Sequence, residues 1–190
     1  MLRPAVFLDR DGTLNVEVDY LADPEALVLL PGVGRALAGL QRAGHLLVVV
    51  TNQSGVARGL FDEGTLGEIH AALARALAEF GVVLDHVGYC PHHPLIGTPP
   101  YRTVCDCRKP RPGLLRAAAE ELPIDLGRSW VVGDSARDLE AGAALGLPGI
   151  LVSTGKGRQA AQRLTDGGHP AEHCVPDLAA AAALILGAGR

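Results

Sequence analysis

Short apolar runs alternate with helical patterns along the chain, and this alternation limits the possible folds more than any other feature. The runs at Ala5–Leu8 and Leu46–Thr51 are apolar or β-branched on both faces, which is typical of strands buried inside a parallel sheet. Similar runs predict further strands at Asp85–Cys90, Ser129–Gly133 and Gly149–Ser153. Because helical stretches separate successive strands, the strands are expected to be parallel.

Helical patterns occupy the intervals between the strands, and most of them end at a glycine. The predicted helices are Val33–Ala43, Asp62–Phe80, Pro112–Leu122, Ser135–Leu145 and Asp177–Leu186, the last with Asp177 as its N-cap. Right-handed strand–helix–strand crossovers then predict an α/β fold, a three-layer sandwich around a doubly wound parallel sheet. The length of 190 residues favours one domain spanning residues 1–190.

Charge and hydropathy argue against several classes of protein. The net charge of −4 is unlike that of a nucleic-acid-binding protein, which usually carries a basic face. The apolar runs are all shorter than the roughly 20 residues of a membrane span, and the N-terminus has no signal-peptide cleavage site. We therefore expect a cytoplasmic protein, monomeric or weakly oligomeric, whose four cysteines are thiols or metal ligands rather than disulfides.

Four of the predicted strands end in polar residues, at Asp9, Thr51-Asn52, Cys90 and Asp134. Ligands of doubly wound sheets bind beyond the carboxyl ends of the strands, so these ends define a candidate site. Asp9 and Asp11 are suited to phosphoryl transfer, since one carboxylate can attack phosphorus while the other protonates the leaving oxygen and later deprotonates water. The alternative for this pair alone is a helix-capping Asp followed by an Asp-Gly turn.

A hard divalent cation is needed if two carboxylates are to approach a phosphate dianion. Mg²⁺ prefers oxygen ligands of this kind, and Asp134 closes another strand as a third carboxylate. Asp138 lies one helical turn further on, where it can orient the water shell of the metal or face solvent. The sequence leaves these two alternatives for Asp138 open.

Phosphate-binding donors are present in two other segments. The stretch Thr51-Asn52-Gln53-Ser54-Gly55 combines hydroxyl and amide donors with a glycine that permits a tight turn, although an ordinary polar turn has the same composition. Lys109 supplies a point charge for the transferring phosphoryl group. It is one of only two lysines in a chain with fifteen arginines, which favours a specific need for an ammonium group.

Two cysteine motifs lie in the irregular stretch before Lys109. Cys90-Pro91-His92 is followed, after twelve intervening residues, by Cys105-Asp106-Cys107. Three thiols and an imidazole suit tetrahedral zinc, and four protein ligands leave no open position, so a structural zinc site is expected in a loop of about residues 90–108. A disulfide is the alternative. His93 is not expected to be a ligand, and Cys174 is expected to be a buried apolar residue.

Asp9-x-Asp11-Gly12-Thr13, Thr51, Lys109 and Gly133-Asp134 occur in the order of the four motifs of the haloacid dehalogenase superfamily, which the chain resembles from residue 5 to about residue 155. The resemblance implies that Asp9 is the nucleophile and Asp11 the general acid/base. It also implies that Thr51 and Lys109 bind the phosphate, and that Asp9, the Asp11 main-chain carbonyl and Asp134 hold Mg²⁺. The intervals 12–44 and 91–108 are too short for a cap domain, so a capless core is expected.

The motif Cys-Pro-His-His-Pro, with Cys-Asp-Cys-Arg-Lys-Pro after it, is similar to that of the D-glycero-D-manno-heptose 1,7-bisphosphate 7-phosphatases. Histidinol-phosphate phosphatases share the catalytic motifs and zinc ligands, but their loop is shorter. The resemblance implies that Asn52, Gln53, Ser54 and Arg108 contact substrate. Ser135 departs from the Lys that enzymes of this family can carry there, which leaves a substrate contact at that position open.

The expected activity is Mg²⁺-dependent hydrolysis of the C7 phosphate of the heptose bisphosphate through an aspartyl-phosphate. Histidinol phosphate or another small phosphomonoester is the alternative substrate. Two functions without turnover also remain open, a phospho-accepting signalling domain and a zinc-binding interaction module. Asp11 argues against the signalling domain, because a receiver needs no fast acid/base.

Overall fold

Six parallel strands form one sheet in the computed structural model, which describes residues 1–168 and 171–188. The strands are β1 (Ala5–Leu8), β2 (Leu46–Asn52), β3 (His86–Cys90), β4 (Trp130–Gly133), β5 (Gly149–Val152) and β6 (His173–Val175). Their order across the sheet is β3-β2-β1-β4-β5-β6, so the chain winds outward from β1 in both directions. This confirms the doubly wound α/β fold predicted from the alternation of strands and helices.

Five helices follow the predicted segments closely, with ends that differ by one or two residues, and a further helix, Gly157–Asp166, was not predicted. They are α1 (Val33–Arg42), α2 (Glu63–Ala78), α3 (Gly113–Glu121), α4 (Ala136–Ala143), α5 (Gly157–Asp166) and α6 (Leu178–Gly187), with 3₁₀ turns at Pro24–Ala26 and Leu126–Arg128. The carboxylates of Asp62 and Asp177 accept the Thr65 and Ala180 N–H groups at 2.7 and 2.9 Å. These N-caps explain why α2 and α6 begin where they do.

Helix α5 and strand β6 were missed by the sequence analysis. Gly157 is the single buried residue of α5, and the segment is mostly polar, so few apolar residues mark it as a core-facing helix. Strand β6 has three residues and pairs with β5 alone. Cys174 lies in this edge strand and is exposed, so the prediction of a buried Cys174 was wrong.

Helices cover both faces of the sheet and make three layers. Val6 and Leu8 of β1 point into a core that includes Leu37 of α1 and Ile185 of α6. Ala5 and Phe7 point to the opposite face, where the core includes residues of α3 and α4. All four residues of β1 are buried because both of its faces are covered, which explains its uniformly apolar sequence.

The connections above the sheet are too short to form a separate cap, as the sequence predicted. Residues 9–32 contain one 3₁₀ turn, and residues 91–112 contain isolated bridges but no helix or strand. Across residues 1–168 and 171–188, none of the helices has the length and apolar character needed to cross a membrane.

Candidate active site

One cavity of about 310 Å³ opens at the carboxyl edge of the sheet. It is lined by every residue that the sequence assigns to catalysis, magnesium or substrate, namely Asp9, Asp11, Thr51, Asn52, Gln53, Ser54, Arg108, Lys109 and Asp134. Residues far apart in sequence meet here because parallel strands present their carboxyl ends at one edge. The Asp9 N–H donates to the Val132 carbonyl at 3.0 Å, which fixes the start of the first loop against β4.

Lys109 is a buried cation that contacts two carboxylates. Its Nζ lies 2.9 Å from Asp9 Oδ1 and 2.7 Å from Asp138 Oδ1, and it also donates to the Val50 carbonyl at 2.6 Å. Burial by itself lowers the pKa of Lys109, but Asp138 and Asp9 outweigh this effect and raise the pKa above its usual value. Asp138 is buried, so the solvent-facing alternative for this residue is excluded.

Asp9, Asp134 and Asp138 form a cluster whose carboxylate oxygens lie within 4.8 Å of one another. Burial, followed by the charge of Asp138, raises the pKa of Asp9 to about 6. Burial, followed by the charge of Asp9, raises the pKa of Asp134 to about 7. Carboxylates this close together repel one another when they are ionised, and a divalent cation between them offsets this repulsion. The three residues therefore fit a magnesium ion.

Backbone geometry brings Asp134 close to the loop that follows β1. Lys156 N–H donates to Asp134 Oδ2 at 2.7 Å, and the Thr154 hydroxyl donates to the Gly12 carbonyl at 2.6 Å. Gly12 has φ +77°, and a Cβ at this position would collide with the Asp134 carboxylate. Glycine is therefore required at position 12 both for its conformation and for the close approach of the carboxylate.

Three neighbouring side chains hold the carboxylate of Asp11. Arg10 binds it in bidentate fashion, with Nη2 2.9 Å from Oδ2 and Nε 3.2 Å from Oδ1. Asn15 Nδ2 donates to Oδ1 at 3.0 Å, and Gln53 Nε2 donates to Oδ2 at 2.8 Å. Arg10 is fully buried although it adjoins the catalytic motif, and neither it nor Asn15 was singled out from the sequence. Its position between Asp9 and Asp11 was the signal that could have identified Arg10.

The amide side chains of Asn52 and Gln53 contact protein groups. Asn52 accepts the Lys109 N–H at 3.0 Å and donates to the Lys109 carbonyl at 3.1 Å. Gln53 Nε2 also donates to the Thr51 hydroxyl at 2.9 Å. The two residues thus position Lys109, Thr51 and Asp11, while their contact with substrate stays a prediction.

The loop of residues 90–108 brings together the four residues predicted to bind zinc. Cys90, His92, Cys105 and Cys107 place their ligand atoms within 4.8 Å of one another. The Cys105–Cys107 sulfur distance is 3.2 Å, and the distances from His92 Nδ1 to the Cys107 and Cys90 sulfurs are 3.3 and 3.7 Å.

These distances fit tetrahedral zinc, whose thiolate ligands lie about 3.8 Å apart for a Zn–S bond of about 2.3 Å. All four cysteines of the chain are free thiols, so the disulfide alternative is wrong. Burial, followed by its contacts with Cys90 and Cys105, raises the pKa of Cys107 well above its usual value. A bound cation is what permits such clustered thiols to ionise.

We expect about one zinc ion per chain, and we expect Cys107→Ser to reduce zinc content, lower the melting temperature and raise KM. Cys107 directly precedes Arg108, whose Nη1 donates to the His92 carbonyl at 3.0 Å, so loss of the metal should release the cations beside the substrate. Elemental analysis and steady-state kinetics measure these effects. Cys174→Ser is the matched control, because Cys174 is exposed and outside the loop. Full activity without zinc would contradict this role.

The outer wall of the cavity includes residues that the sequence analysis did not identify. Glu17 pairs with Lys156 at 2.7 Å, and the Tyr20 ring lies under the Arg58 guanidinium, with 5.2 Å between Arg58 Cζ and the ring centroid. Tyr20 has φ +59°, a conformation that non-glycine residues adopt mainly where their surroundings enforce it. Arg137 also lines the cavity, and its Nε lies 3.5 Å from the Ser135 hydroxyl.

The parallel sheet, with Asp9 and Asp11 after β1, Thr51 in β2, Lys109 before α3 and Asp134 after β4, defines a hydrolase of the haloacid dehalogenase class. In agreement, a family model described as HAD-hydrolase-like matches residues 106–181. Within this class, the chain belongs to the family of D-glycero-β-D-manno-heptose 1,7-bisphosphate 7-phosphatases.

The protein of that name from Vibrio cholerae is 47% identical over 157 residues, which cover 82% of this chain and 84% of the relative. The one from Pseudomonas putida is 46% identical over 159 residues, which cover 83% of this chain and 87% of the relative. A crystal structure of D,D-heptose 1,7-bisphosphate phosphatase from B. bronchiseptica, complexed with magnesium and phosphate, contains a chain that is 43% identical in sequence to this one. It superposes with a TM-score of 0.83 and covers 97% of this chain and 99% of that one.

Proposed function

We propose that this protein hydrolyses the C7 phosphate of D-glycero-D-manno-heptose 1,7-bisphosphate through an aspartyl-phosphate on Asp9. The observation that carries the proposal is the contact between Asp9 and Lys109 at 2.9 Å, beside Asp134, at the carboxyl edge of the sheet. Family membership supplies the substrate. We further propose that residues 1–190 form one catalytic domain, which acts in the cytoplasm as a monomer or weak oligomer without nucleic-acid or membrane partners.

In the first step, an Asp9 carboxylate oxygen attacks phosphorus, and the bond between phosphorus and the C7 oxygen breaks. The departing alkoxide takes a proton from Asp11, while Lys109 Nζ and the Thr51 hydroxyl donate to the phosphoryl oxygens. Lys109 suits this role because its Nζ lies 2.9 Å from Asp9 Oδ1, beside the carboxylate that attacks phosphorus. Asn52 holds the backbone of Lys109, and one of the present Nζ contacts would be exchanged for a phosphoryl oxygen.

In the second step, Asp11 removes a proton from water, the water oxygen attacks phosphorus, and the bond to Asp9 breaks to release inorganic phosphate. Arg10, Asn15 and Gln53 orient the Asp11 carboxylate for both proton transfers. Mg²⁺, when held by Asp9, Asp134 and the Asp11 main-chain carbonyl, neutralises charge on the carboxylates and the phosphate. Stepwise hydrolysis distinguishes the enzyme from a phospho-accepting signalling domain, which keeps its phosphate.

Arg108 is proposed to bind the phosphate that is not transferred. The transferring phosphate is already served by Thr51 and Lys109, so Arg108 is a surplus cation, and a guanidinium can bind a phosphate in bidentate fashion. Histidinol phosphate instead presents an ammonium and an imidazole, and Arg108 would repel the ammonium. The bisphosphate should therefore be the better substrate.

We expect Arg108→Ala to lower kcat/KM for the heptose bisphosphate by roughly ten- to a hundredfold, because a charge-assisted pair contributes about 1.5–3 kcal/mol. The effect on a heptose monophosphate should be small. Arg102→Ala is the matched control, since Arg102 belongs to the same loop but does not line the cavity. Turnover of the bisphosphate, the 7-monophosphate and histidinol phosphate, with phosphate release measured, tests both statements. An equal loss of kcat/KM on both sugar phosphates in Arg108→Ala would disprove the role of Arg108. So would a wild-type preference for histidinol phosphate.

A further inference from the structure

Three nitrogen-bearing side chains line the cavity in addition to the carboxylate cluster. Arg58 follows β2, and His93 and Arg108 belong to the loop of residues 90–108. His93 directly follows His92, whose carbonyl oxygen accepts the Arg108 Nη1–H at 3.0 Å. We call these three residues the basic wall.

Each residue of the basic wall is held by a different contact. Arg108 uses one Nη1–H for the His92 carbonyl, at 3.0 Å. The Arg58 guanidinium lies over the ring of Tyr20. These contacts restrict the two guanidinium groups before a ligand arrives, which lowers the entropy that binding costs.

His93 contributes a hydrogen-bond donor whatever its charge. Its Nδ1 accepts the N–H groups of Leu95 and Ile96, at 3.1 and 3.0 Å. A ring nitrogen that accepts carries no proton, so the proton of the neutral ring is on Nε2. The charged ring also has a proton on Nε2, and this nitrogen therefore donates in both forms.

The positive charges of the basic wall lack carboxylate partners. In residues 1–168 and 171–188, neither Arg58 nor Arg108 forms an ion pair, whereas Lys109 and Lys156 each do. Like charges near one another repel, and an anion between them would reverse the sign of this interaction. The basic wall is thus complementary to an anion that the protein itself does not supply.

We propose that Arg58 and His93 complete, together with Arg108, a subsite for the phosphate that the substrate retains. This inference rests on the proposed function, because a bisphosphate is the substrate class that places a second anion in the same cavity. Arg58 contributes charge and a planar donor group, and His93 contributes a single donor through Nε2. Both residues are specificity determinants and take no part in the bond-breaking steps.

Arg58→Ala should lower kcat/KM for the heptose bisphosphate about tenfold, mainly through KM, because an exposed charge-assisted contact is at the lower end of the usual range. The value for heptose 7-phosphate should change less than about twofold. Arg58→Lys should recover part of the loss, since it keeps the charge but not the planar donor group. Heptose 1-phosphate, the product that retains the second phosphate, should bind Arg58→Ala about tenfold more weakly by calorimetry.

His93 offers a matched pair of variants. His93→Asn keeps an acceptor near the Nδ1 position for the two loop amides and removes the Nε2 donor, whereas His93→Gln places a donor near Nε2 and removes the acceptor. His93→Asn should therefore lose preference for the bisphosphate while its melting temperature and zinc content stay at wild-type values. His93→Gln should retain the preference even if its melting temperature falls.

Two further variants separate a subsite from its alternatives. Tyr20→Leu removes the ring that holds the Arg58 guanidinium, and it should lower kcat/KM for the bisphosphate more than for heptose 7-phosphate. Arg137→Ala removes an equal charge from elsewhere in the cavity, and it should affect the two sugar phosphates by the same factor. Selective loss of the bisphosphate in Arg137→Ala, or equal losses on both substrates in Arg58→Ala, would overturn the subsite. If the wild-type enzyme does not hydrolyse the bisphosphate, the proposed function fails, and heptose 1-phosphate binding still decides whether the subsite exists.

Discussion

Replacement of Asp9 by asparagine is expected to lower kcat by more than a hundredfold, a deficit of roughly 3 kcal/mol in transition-state stabilisation. An amide oxygen is a poor nucleophile and a weaker ligand for Mg²⁺ than a carboxylate, so the substitution removes two functions together. Zinc content should not change, because none of the zinc ligands contacts Asp9. Single-turnover phosphate release, with zinc measured on the same preparation, gives both results. Activity above about a hundredth of wild type would disprove covalent catalysis by Asp9.

The same variant should be more stable than the wild type when no magnesium is added. Burial and the charge of Asp138 raise the pKa of Asp9 to about 6 from the usual 3.8, which corresponds to roughly 3 kcal/mol against the ionised form. Asparagine removes this penalty, and the raised pKa already includes the favourable contact of Asp9 with Lys109, which lowers it. The free energy of unfolding is therefore expected to increase, by up to about 3 kcal/mol. Thermal unfolding should be measured without a chelator, because a chelator would remove zinc as well as magnesium.

The pH dependence of stability has a sign that follows from the raised pKa values. A carboxyl group whose pKa is higher in the folded than in the unfolded state stabilises the fold below its unfolded pKa and loses this contribution as pH rises. For Asp9 and Asp134, with folded pKa values of about 6 and about 7, the loss falls between about pH 4 and pH 7. Without magnesium, the wild-type melting temperature should decrease over this range, and Asp9→Asn should decrease less.

Strands β1 to β5 and the catalytic motifs could be predicted because each leaves a local signal. A strand covered on both faces has to be apolar throughout, as at Ala5–Leu8, and the polar residue that ends it then marks the edge where ligands bind. Asp9, Thr51 and Asp134 were found in this way. The clustering of Cys90, His92, Cys105 and Cys107 was predictable for a similar reason, since closely spaced thiols and an imidazole have few other uses in one loop.

What the sequence did not reveal depends on contacts between distant segments. Arg58 and Tyr20 are 38 positions apart and meet only after the fold is complete, so nothing local marks either one. The sequence allowed Asp138 to face either the metal site or solvent, and the choice required the position of Lys109, which pairs with it. Helix α5 is mostly polar and has one buried residue, so few apolar positions mark it as a core-facing helix. Sequence patterns therefore predict least about side chains whose roles depend on tertiary contacts.

Arg10 shows how a structural charge and a catalytic charge depend on each other. Its guanidinium is fully buried, its Nη1 has no hydrogen-bond partner, and Asp11 is its one carboxylate partner among the described residues. After burial, the positive charge of Arg10 is the main influence that lowers the pKa of His70, to about 4. Arg10 therefore needs the charge of Asp11 for stability, while Asp11 needs Arg10 for its orientation.

Asp11→Asn is accordingly expected to lower both activity and stability, unlike Asp9→Asn. Loss of the general acid and base should reduce kcat by about 10²- to 10⁴-fold. Arg10 would lose the carboxylate that balances it, which should lower the free energy of unfolding by roughly 3–5 kcal/mol. Denaturant unfolding and steady-state turnover measure the two effects separately.

The double variant Arg10→Met, Asp11→Asn separates the two roles of Asp11. Removing both charges takes away the unbalanced guanidinium, so stability should return towards the wild-type value. Activity should not return, because the proton donor and acceptor is still missing. Recovery of turnover in the double variant would show that the loss in Asp11→Asn came from instability. Turnover of Asp11→Asn within tenfold of wild type would mean that another group transfers the proton, and an unchanged unfolding free energy would mean that Arg10 is stabilised by other contacts.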